Sequence, residues 1–489
     1  MINTILQENV ISFKEFEQKV FNAICELGRN LTTEVLAKYD QEIANSRNVK
    51  DYRDKGVRKS SIKTIYGSVG YARRIYKHIN EAGQTEYIFL LDEAMKMDKI
   101  GLISTNLAEK VVEAVTQLSY RATANDVSRM TGQTISHGGA WNLVQALGEK
   151  ICLEEDALVT DMKQDVLKGA IETPILFEEV DGVYINIQGK DRPAKKKKRE
   201  MKVSIAYSGW KADGKNNNTL VNKMMTAGFD TPKEFHQKRE AMIKQKYNTD
   251  EIKVRILNGD GAEWIKAPYE EETIFQLDQF HIYQAIIRNI KDKAAQKNIR
   301  TFIDEGKIQE AFEYIGIYAD SVATNDRSDK TEEKARKLLD YLKKNEAGIV
   351  PYNKRGLKLT QEPEGIVYKG LGTLENHNCT VITLRMKHRR ASWSIKGANN
   401  MAKILVRKEN KTLYKTIERY MDAIITSEKC EEIIEILSAA KTPSLDGKGH
   451  KDGNVSKGHL PMRDALMTES RKAFLKIFDM KNFDKITYR

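Results

Sequence analysis

Three acids stand in contexts that do not suit a carboxylate. Asp181 interrupts the apolar run FEEVDGVYINI, Asp260 closes RILNGDGAEW, and Glu375 opens GTLENHNCTVITLRM. Charged side chains are seldom buried unless they are paired or hold a metal. Asp181 is therefore either a turn residue before Gly182 or a ligand. Asp260 lies at the carboxyl end of an apolar strand, the edge where open α/β sheets build their sites. Gly259 and Gly261 allow a tight turn and a close-approaching ligand, although Asp-Gly turns also form on their own account. A helix starting near Leu374 puts Glu375, Cys379, Ile382 and Met386 on one stripe, with Glu375 at the head of the face toward the sheet. The plainer role for Glu375 is a first-turn acid that complements the helix dipole. Three converging carboxylates need positive charge between them. A pair of Mg²⁺ ions about 3.5–4 Å apart supplies it, because Mg²⁺ takes carboxylate and phosphate oxygens together; Mn²⁺ can substitute.

Asp278 and His281, three apart in QLDQFH, fall at a strand-to-helix junction. Asp278 reads first as an N-cap. The alternative is a pair that positions substrate beside the metal. Trp393 reads as core rather than as a platform for a base.

The elements that must position these residues indicate an α/β fold. From about 172 the apolar period switches from helical to extended: ILFEEVDGVYINIQ, KVSIAYSGW and KVRILNGDG read as strands, TLVNKMMTAGF as a further one, and 231–247 as a helix. Strands in a row, then strands alternating with helices, predict a mixed sheet over 172–281, resumed at 371–440. The charged helical block 282–370 is too long for a loop and reads as an inserted subdomain. Residues 441–489 read as a Gly-, Ser- and Lys-rich linker and a last amphipathic helix carrying Leu466, Phe474, Ile477 and Phe478.

Upstream the chain is mainly helical. Apolar spacing predicts two helices over residues 1–50, a face suited to core or to dimerisation. Residues 51–100 centre on a basic two-stranded ribbon around Gly67 and Ser68, in which Arg58, Lys59, Lys63, Arg73 and Arg74 are placed to neutralise phosphates and Tyr66, Tyr71 and Tyr76 either pack on sugar and base or cover neighbouring helices. Residues 101–155 have a helix-turn-helix outline, ATANDVSRM–TGQ–TISHGGAWNLVQAL, which leaves Thr134, Ser136, His137 and Asn142 to reach a groove. Lys195, Lys196, Lys197, Lys198 and Arg199 form a further basic loop.

Composition agrees. The chain of 489 residues carries 81 Lys plus Arg against 69 Asp plus Glu, a formal net charge of +12, which points toward a polyanionic partner. At roughly 100–200 residues per domain the length implies several domains. Nothing approaches the roughly 18 consecutive apolar residues of a membrane span, and the four scattered cysteines contain no C-x-x-C pair, which fits a reducing cytosol.

Asp181 in EVDGVYI, Asp260 in NGDG, the D-x-x-H of Asp278 and His281, the long helical block and Glu375 on a following helix together resemble a DDE transposase. The likeness is nearest to the ISLre-type bacterial insertion-sequence transposases, which are similar to the Mutator-like superfamily, and covers most of the chain from the basic ribbon to SWSIKGANNMAKI. It implies a ribonuclease-H-like core with a large all-helical insertion, a two-metal site of Asp181, Asp260 and Glu375, and an N-terminal region that binds double-stranded transposon ends. It also raises Asp278 and His281 above the capping role. The implied chemistry is metal-dependent strand cleavage and strand transfer without a covalent protein intermediate, by a homodimer or larger assembly on the bacterial nucleoid. Three rivals remain open: a DNA-binding regulator or inactive domesticated transposase, a plain nuclease, and a tyrosine recombinase, for which His236, Arg239 and Tyr269 supply candidate residues.

Overall fold

Ser12 and Glu15 form a capping box: the Ser12 hydroxyl accepts from the Glu15 amide at 3.2 Å and the Glu15 carboxylate accepts from the Ser12 amide at 2.9 Å. Two amides that a helix start leaves open are thereby satisfied. From this box α1 (Phe13–Ser46) runs for 34 residues. The computed structural model describes residues 12–95, 103–192, 197–212, 214, 218–266, 273–323 and 330–421, all in one compact unit, Met1–Cys430. The expected pair of helices is thus a single one. Gly28 does not end it; the Tyr66 ring lies against this glycine, where a Cβ would meet Tyr66 Cγ at 3.1 Å.

β1 (Arg53–Thr64) and β2 (Gly67–Ile79) form the ribbon, antiparallel from Arg53 opposite Lys77 to Thr64 opposite Gly67. A third strand, β3 (Thr85–Ile88), pairs with β2, and a short helix α2 (Leu90–Ala94) follows. The helices α3 (Thr105–Val115), α4 (Tyr120–Met130) and α5 (His137–Lys163) are each opened by a serine cap, Ser104, Ser119 and Ser136. The turn between α4 and α5 meets the ribbon turn through the Gly132 amide, which donates to Ile65 O at 2.8 Å. A Cβ on Gly132 would lie 2.8 Å from Tyr66 backbone atoms, so only glycine permits this approach.

The helix-turn-helix is not an independent module. Leu143, Val144, Leu147 and Ile151 of α5 are buried in the same core as Phe177, Val183, Ile185 and Val203 of the main sheet. That sheet consists of β4 (Ile175–Asn186), β5 (Lys198–Tyr207), β8 (Met224–Gly228), β9 (Val254–Gly259) and β10 (Ile274–Leu277), in the order β10-β9-β4-β5-β8; β6 (Gly209–Ala212) and β7 (Asn218–Val221) form a small hairpin beside it. TLVNKMMTAGF therefore supplies two strands rather than one. β4–β5 and β5–β8 are antiparallel, whereas β4–β9 and β9–β10 are parallel. Parallel neighbours need a crossover, and α6 (Pro232–Lys246) carries the chain from β8 at one edge back past β5 and β4 to β9, the parallel neighbour of β4.

After β10 come α7 (Gln279–Asn289), α8 (Lys293–Asp304), α9 (Ile308–Ala323) and α10 (Thr331–Lys344). Ile282, Ile286, Ile299, Ile303, Phe312, Ile315, Leu338 and Leu342 give this block a hydrophobic core of its own. The chain returns through a helical run composed of Leu374–His377, a π-helical turn Asn378–Thr383 and Leu384–Met386, then α11 (Ile395–Glu409) and α12 (Leu413–Met421). Trp393 is core, donating its indole N–H to Met386 O at 2.9 Å. The expectations for 441–489 lie outside the described residues.

Candidate active site

Strand register brings three acids to one edge. Val180 of β4 pairs with Gly259 of β9, and Gly259 pairs with Leu277 of β10. The next residue of each strand is an acid: Asp181, Asp260 and Asp278. Because the three strands are parallel, they deliver these residues side by side: Asp181 from within β4 at the point where its pairing with β9 ends, and Asp260 and Asp278 just past the carboxyl ends of β9 and β10.

Asp181 is held from both sides. Its Oδ2 accepts from Asn378 Nδ2 at 2.8 Å, and its Oδ1 stands 3.6 Å from His281 Nε2. Burial alone would lower the His281 pKa, but Asp181, with Asp278 and Asp260 behind it, more than offsets this and raises it. Asp260 turns its Oδ1 onto the Ala262 amide at 2.8 Å, and the Tyr341 hydroxyl from the helical block donates to its carbonyl at 2.9 Å. Burial raises the Asp260 carboxyl pKa, and Asp181 and Asp278 add to the rise against the Ala262 amide and His281.

Asp278 is the cap that its position suggests. Its Oδ1 accepts from the Phe280 and His281 amides at 2.9 and 3.2 Å, and its Oδ2 accepts from Asn258 Nδ2 at 2.6 Å. The cap aims the first turn of α7, and with it His281, at Asp181.

Glu375 departs from the expected face. The π turn adds a residue to the winding, so the buried positions of the run are Leu374, Asn378, Val381, Ile382 and Met386, while Glu375 and Cys379 are exposed. Glu375 therefore stands at the rim of the packed face rather than at its head. Partial burial raises its carboxyl pKa, Asp181 adds to the rise and His281 opposes it, which marks Glu375 as a neighbour of the same acids. Single π turns inside helices are frequent at functional sites. Upstream, Glu362 is occupied by the Tyr368 amide at 2.6 Å.

Two more acids belong here, and both escaped the sequence reading. Glu200 of β5 packs over Gly182, where a Cβ would lie 2.2 Å from its Oε1; burial raises its pKa against Lys202, with Asp260 and Asp181 adding. Glu179, fully buried on the same face of β4 as Asp181, takes amides from the start of the Glu375 run. The doubled acid in FEEV was its signal, since a charge inside an apolar strand demands partners.

The basic ribbon divides. Arg58, Lys59 and Lys63 are exposed. Arg73 and Arg74, expected among the DNA contacts, are tied into the fold. Arg73 Nε pairs with Asp92 Oδ2 at 2.6 Å and its guanidinium lies 3.9 Å from the Phe89 ring centre; Arg74 pairs with the buried Asp40 at 2.5 Å. Tyr71 and Tyr76 are likewise buried, so they cover neighbouring elements rather than offering a face to a base. Thr134, Ser136 and His137 are exposed, and Ser136 caps α5 through the Gly139 amide at 3.0 Å. Lys197, Lys198 and Arg199 are exposed, and Lys195 and Lys196 lie outside the described residues.

His236 and Arg239 do not face the acids. Strand alternation places Glu178 on the opposite side of β4 from Asp181, and there Arg239, 3% exposed, stands 3.6 Å from Glu178 and 3.5 Å from Glu240, with His236 Nδ1 2.9 Å from its Nη2. Tyr269 lies outside the described residues.

The model of an uncharacterised protein family (UPF0236) matches residues 6–421. The chain belongs to this family. A UPF0236 protein in the vanSb 3′ region of Streptococcus gallolyticus is 22% identical over 404 residues, 81% of this chain and 83% of that relative. The protein TTE0610/TTE0881/TTE1053/TTE2432 of Caldanaerobacter subterraneus subsp. tengcongensis is 22% identical over 415 residues, 83% of this chain and 78% of its own. Another relative from the same organism, whose name joins eleven designations from TTE0033 to TTE2212, is 21% identical over 411 residues, 83% and 79% of the two chains.

The donor set of this UPF0236 protein suits a hard divalent cation. Among the described residues no three His, Cys, Asp or Glu side chains close on one point as a finished cage. Mg²⁺ does not require one: it keeps waters and is bound by one or two carboxylates together with substrate phosphate oxygens. Asp181, Asp260 and Glu375 offer such carboxylates; burial raises the Asp260 and Glu375 carboxyls, and the neighbouring acids add to the rise, a cost that a bound cation would offset. Among the described residues no helix is long and apolar enough to cross a membrane.

Proposed function

We propose that this protein is a DDE-type DNA transposase that binds the ends of a mobile element and carries out Mg²⁺-dependent strand cleavage and strand transfer. The register that sets Asp181, Asp260 and Asp278 side by side, with His281 3.6 Å from Asp181 and Glu375 within electrostatic reach of it, carries the proposal. The mixed order β10-β9-β4-β5-β8, followed by a helical block and then the Glu375 run, supports a ribonuclease-H-like core. A relative's name with eleven designations suits a sequence that multiplies within a genome.

In this mechanism Asp181, Asp260 and Glu375 would hold Mg²⁺. Bound there, the ions would supply Lewis-acid stabilisation of charge on the scissile phosphate. His281 orients Asp181 and balances its charge, and Asp278 orients His281. Lys197, Lys198 and Arg199 hold phosphates near the site. Arg58, Lys59 and Lys63 of the ribbon, with Thr134, Ser136 and His137 at the α4–α5 turn, engage the double-stranded end, where phosphate contacts set register and base contacts give sequence. Two ends must be joined, so the working form is a dimer or larger, acting on the bacterial nucleoid.

The test is an assay with DNA carrying the inverted repeats that flank the gene. Mg²⁺ should produce cut ends joined to target DNA, and EDTA should abolish both steps. Cutting without joining would reduce the protein to a nuclease. Binding without cutting would reduce it to a regulator, and strand transfer in EDTA through a protein–DNA adduct would make it a tyrosine recombinase.

A further inference from the structure

Glu179 is 0% exposed, two residues before Asp181 on β4. A buried carboxylate costs several kcal/mol unless its lone pairs are satisfied, and the donors that satisfy this one come from distant elements. Oε1 accepts from the Thr373 amide at 3.2 Å, the Thr373 hydroxyl at 2.8 Å and the Tyr207 hydroxyl at 2.6 Å. Oε2 accepts from the Gly372 and Leu374 amides, both at 3.0 Å, and from Asn258 Nδ2 at 3.5 Å.

The amides of Gly372, Thr373 and Leu374 are the open donors at the start of the run that carries Glu375, and the N-cap Thr373 makes no side-chain cap of its own. Gly372 adopts φ +118°, a conformation that favours glycine, in the turn that presents these donors. Glu179 thus supplies from the sheet what a capping residue usually supplies from the helix. Asn258 extends the contact sideways: it also donates to Asp278, and its Oδ1 accepts from Gln276 at 3.3 Å. One buried network therefore joins β4, β9, β10 and the Glu375 run beneath the acid edge. The helical block intervenes between Asp278 and Glu375, so chain connectivity does not by itself fix where Glu375 comes to rest.

We propose that Glu179 is the positioning residue of the acid site, an internal anion that docks the start of the Glu375 helix on β4 so that Glu375 and Asn378 reach Asp181. This deepens the metal-site reading above and rests on it for its catalytic consequence.

The test compares full-length wild type, Glu179→Gln and Glu179→Asp. Glu179→Gln keeps the size, loses the charge and turns an NH₂ toward donors. Hydrogen–deuterium exchange over residues 372–383 should accelerate about tenfold while β4 and β9 stay protected. The kcat of Mg²⁺-dependent cleavage should fall about 100-fold, the scale of a ~1 Å misplacement, with KM for DNA within about twofold and the Mg²⁺ concentration for half-maximal rate raised. Glu179→Asp, which retains the charge, should recover part of both effects, and it carries the comparison if Glu179→Gln does not fold. Unchanged exchange over 372–383 in both variants overturns the proposal, as does faster exchange with undiminished kcat. If the wild type itself cleaves no DNA with Mg²⁺ or Mn²⁺, the transposase reading fails, and the exchange comparison still decides whether Glu179 docks this segment.

Discussion

His281 Nε2 lies 3.6 Å from Asp181 Oδ1, which joins the helix that leaves the last strand of the sheet to its central strand. The Asp278 cap sets the direction of that helix, and the acid beside β9 raises the His281 pKa from a third side. The acid edge proposed to hold metal and the frame that positions it are therefore built from the same few residues.

Crowded acids should cost stability that activity requires. A carboxyl whose folded pKa is raised favours folding only while it is protonated, and the advantage is lost as pH rises through the raised value. At neutral pH Asp260 and Glu375 therefore oppose folding. Asp260→Asn should abolish cleavage and raise Tm by roughly 1–3 °C, and Mn²⁺ should raise Tm more for the wild type than for the variant. Calorimetry at pH 7.5 with and without Mn²⁺ tests both.

A second buried charge cluster should behave in the opposite sense. Lys403 and Glu155, 1% and 2% exposed, pair at 2.6 Å, and Asp230 stands 2.9 Å from Lys238 and 3.8 Å from Lys403. Lys403→Met strands Glu155 and should cost about 3–5 kcal/mol, most of which Lys403→Met with Glu155→Leu should restore. Burial alone would raise Asp230, but Lys403 and Lys238 more than offset it and the net shift is downward. Stability from Asp230 is thus present above its ordinary value of 3.8 and lost as pH falls below it. Denaturant titrations should show Asp230→Asn destabilising at pH 7 and progressively less so as pH falls below 3.8.

The ribbon arginines separate binding from folding. Arg58→Ala and Lys59→Ala should each weaken DNA binding, reduce the salt slope by about 1 and leave Tm unchanged. Arg73→Ala and Arg74→Ala, by stranding Asp92 and Asp40, should lower Tm. Fluorescence anisotropy across a salt series, beside thermal melts, distinguishes the two classes.

Gly132→Ala should undock the ribbon turn from the α4–α5 turn. The new Cβ meets Tyr66 backbone atoms at 2.8 Å, contacts that a small side-chain motion cannot relieve. A loss of about 1–3 kcal/mol is expected, with weaker DNA binding, because the two elements proposed to engage DNA no longer share one frame. Denaturant melts and anisotropy on the same sample check this.

Much of the acid edge was legible because Asp181 interrupts an apolar strand and Asp260 and Asp278 follow apolar strands, and acids there have few roles. The capping role of Asp278 was also readable from its place before a helical run. The face of Glu375 was not: a three- and four-residue spacing assumes uniform α-helix, and the π turn at Asn378–Thr383 breaks that assumption. Arg73 and Arg74 looked like free cations because their partners, Asp92 and Asp40, sit in other elements. Glu179 was hidden because its partners are backbone amides almost two hundred residues away. Two apolar stripes over residues 1–50 were read as two helices, whereas one helix, Phe13–Ser46, carries both.

Anomalous diffraction from crystals soaked in Mn²⁺, with DNA end bound, tests the central claim most directly. Manganese peaks coordinated by Asp181 and Asp260, with Glu375 reaching at least one of them and phosphate oxygens completing the shell, are the predicted result, lost in Asp181→Asn. Peaks confined to other surfaces, or the same peaks retained in Asp181→Asn, would contradict it.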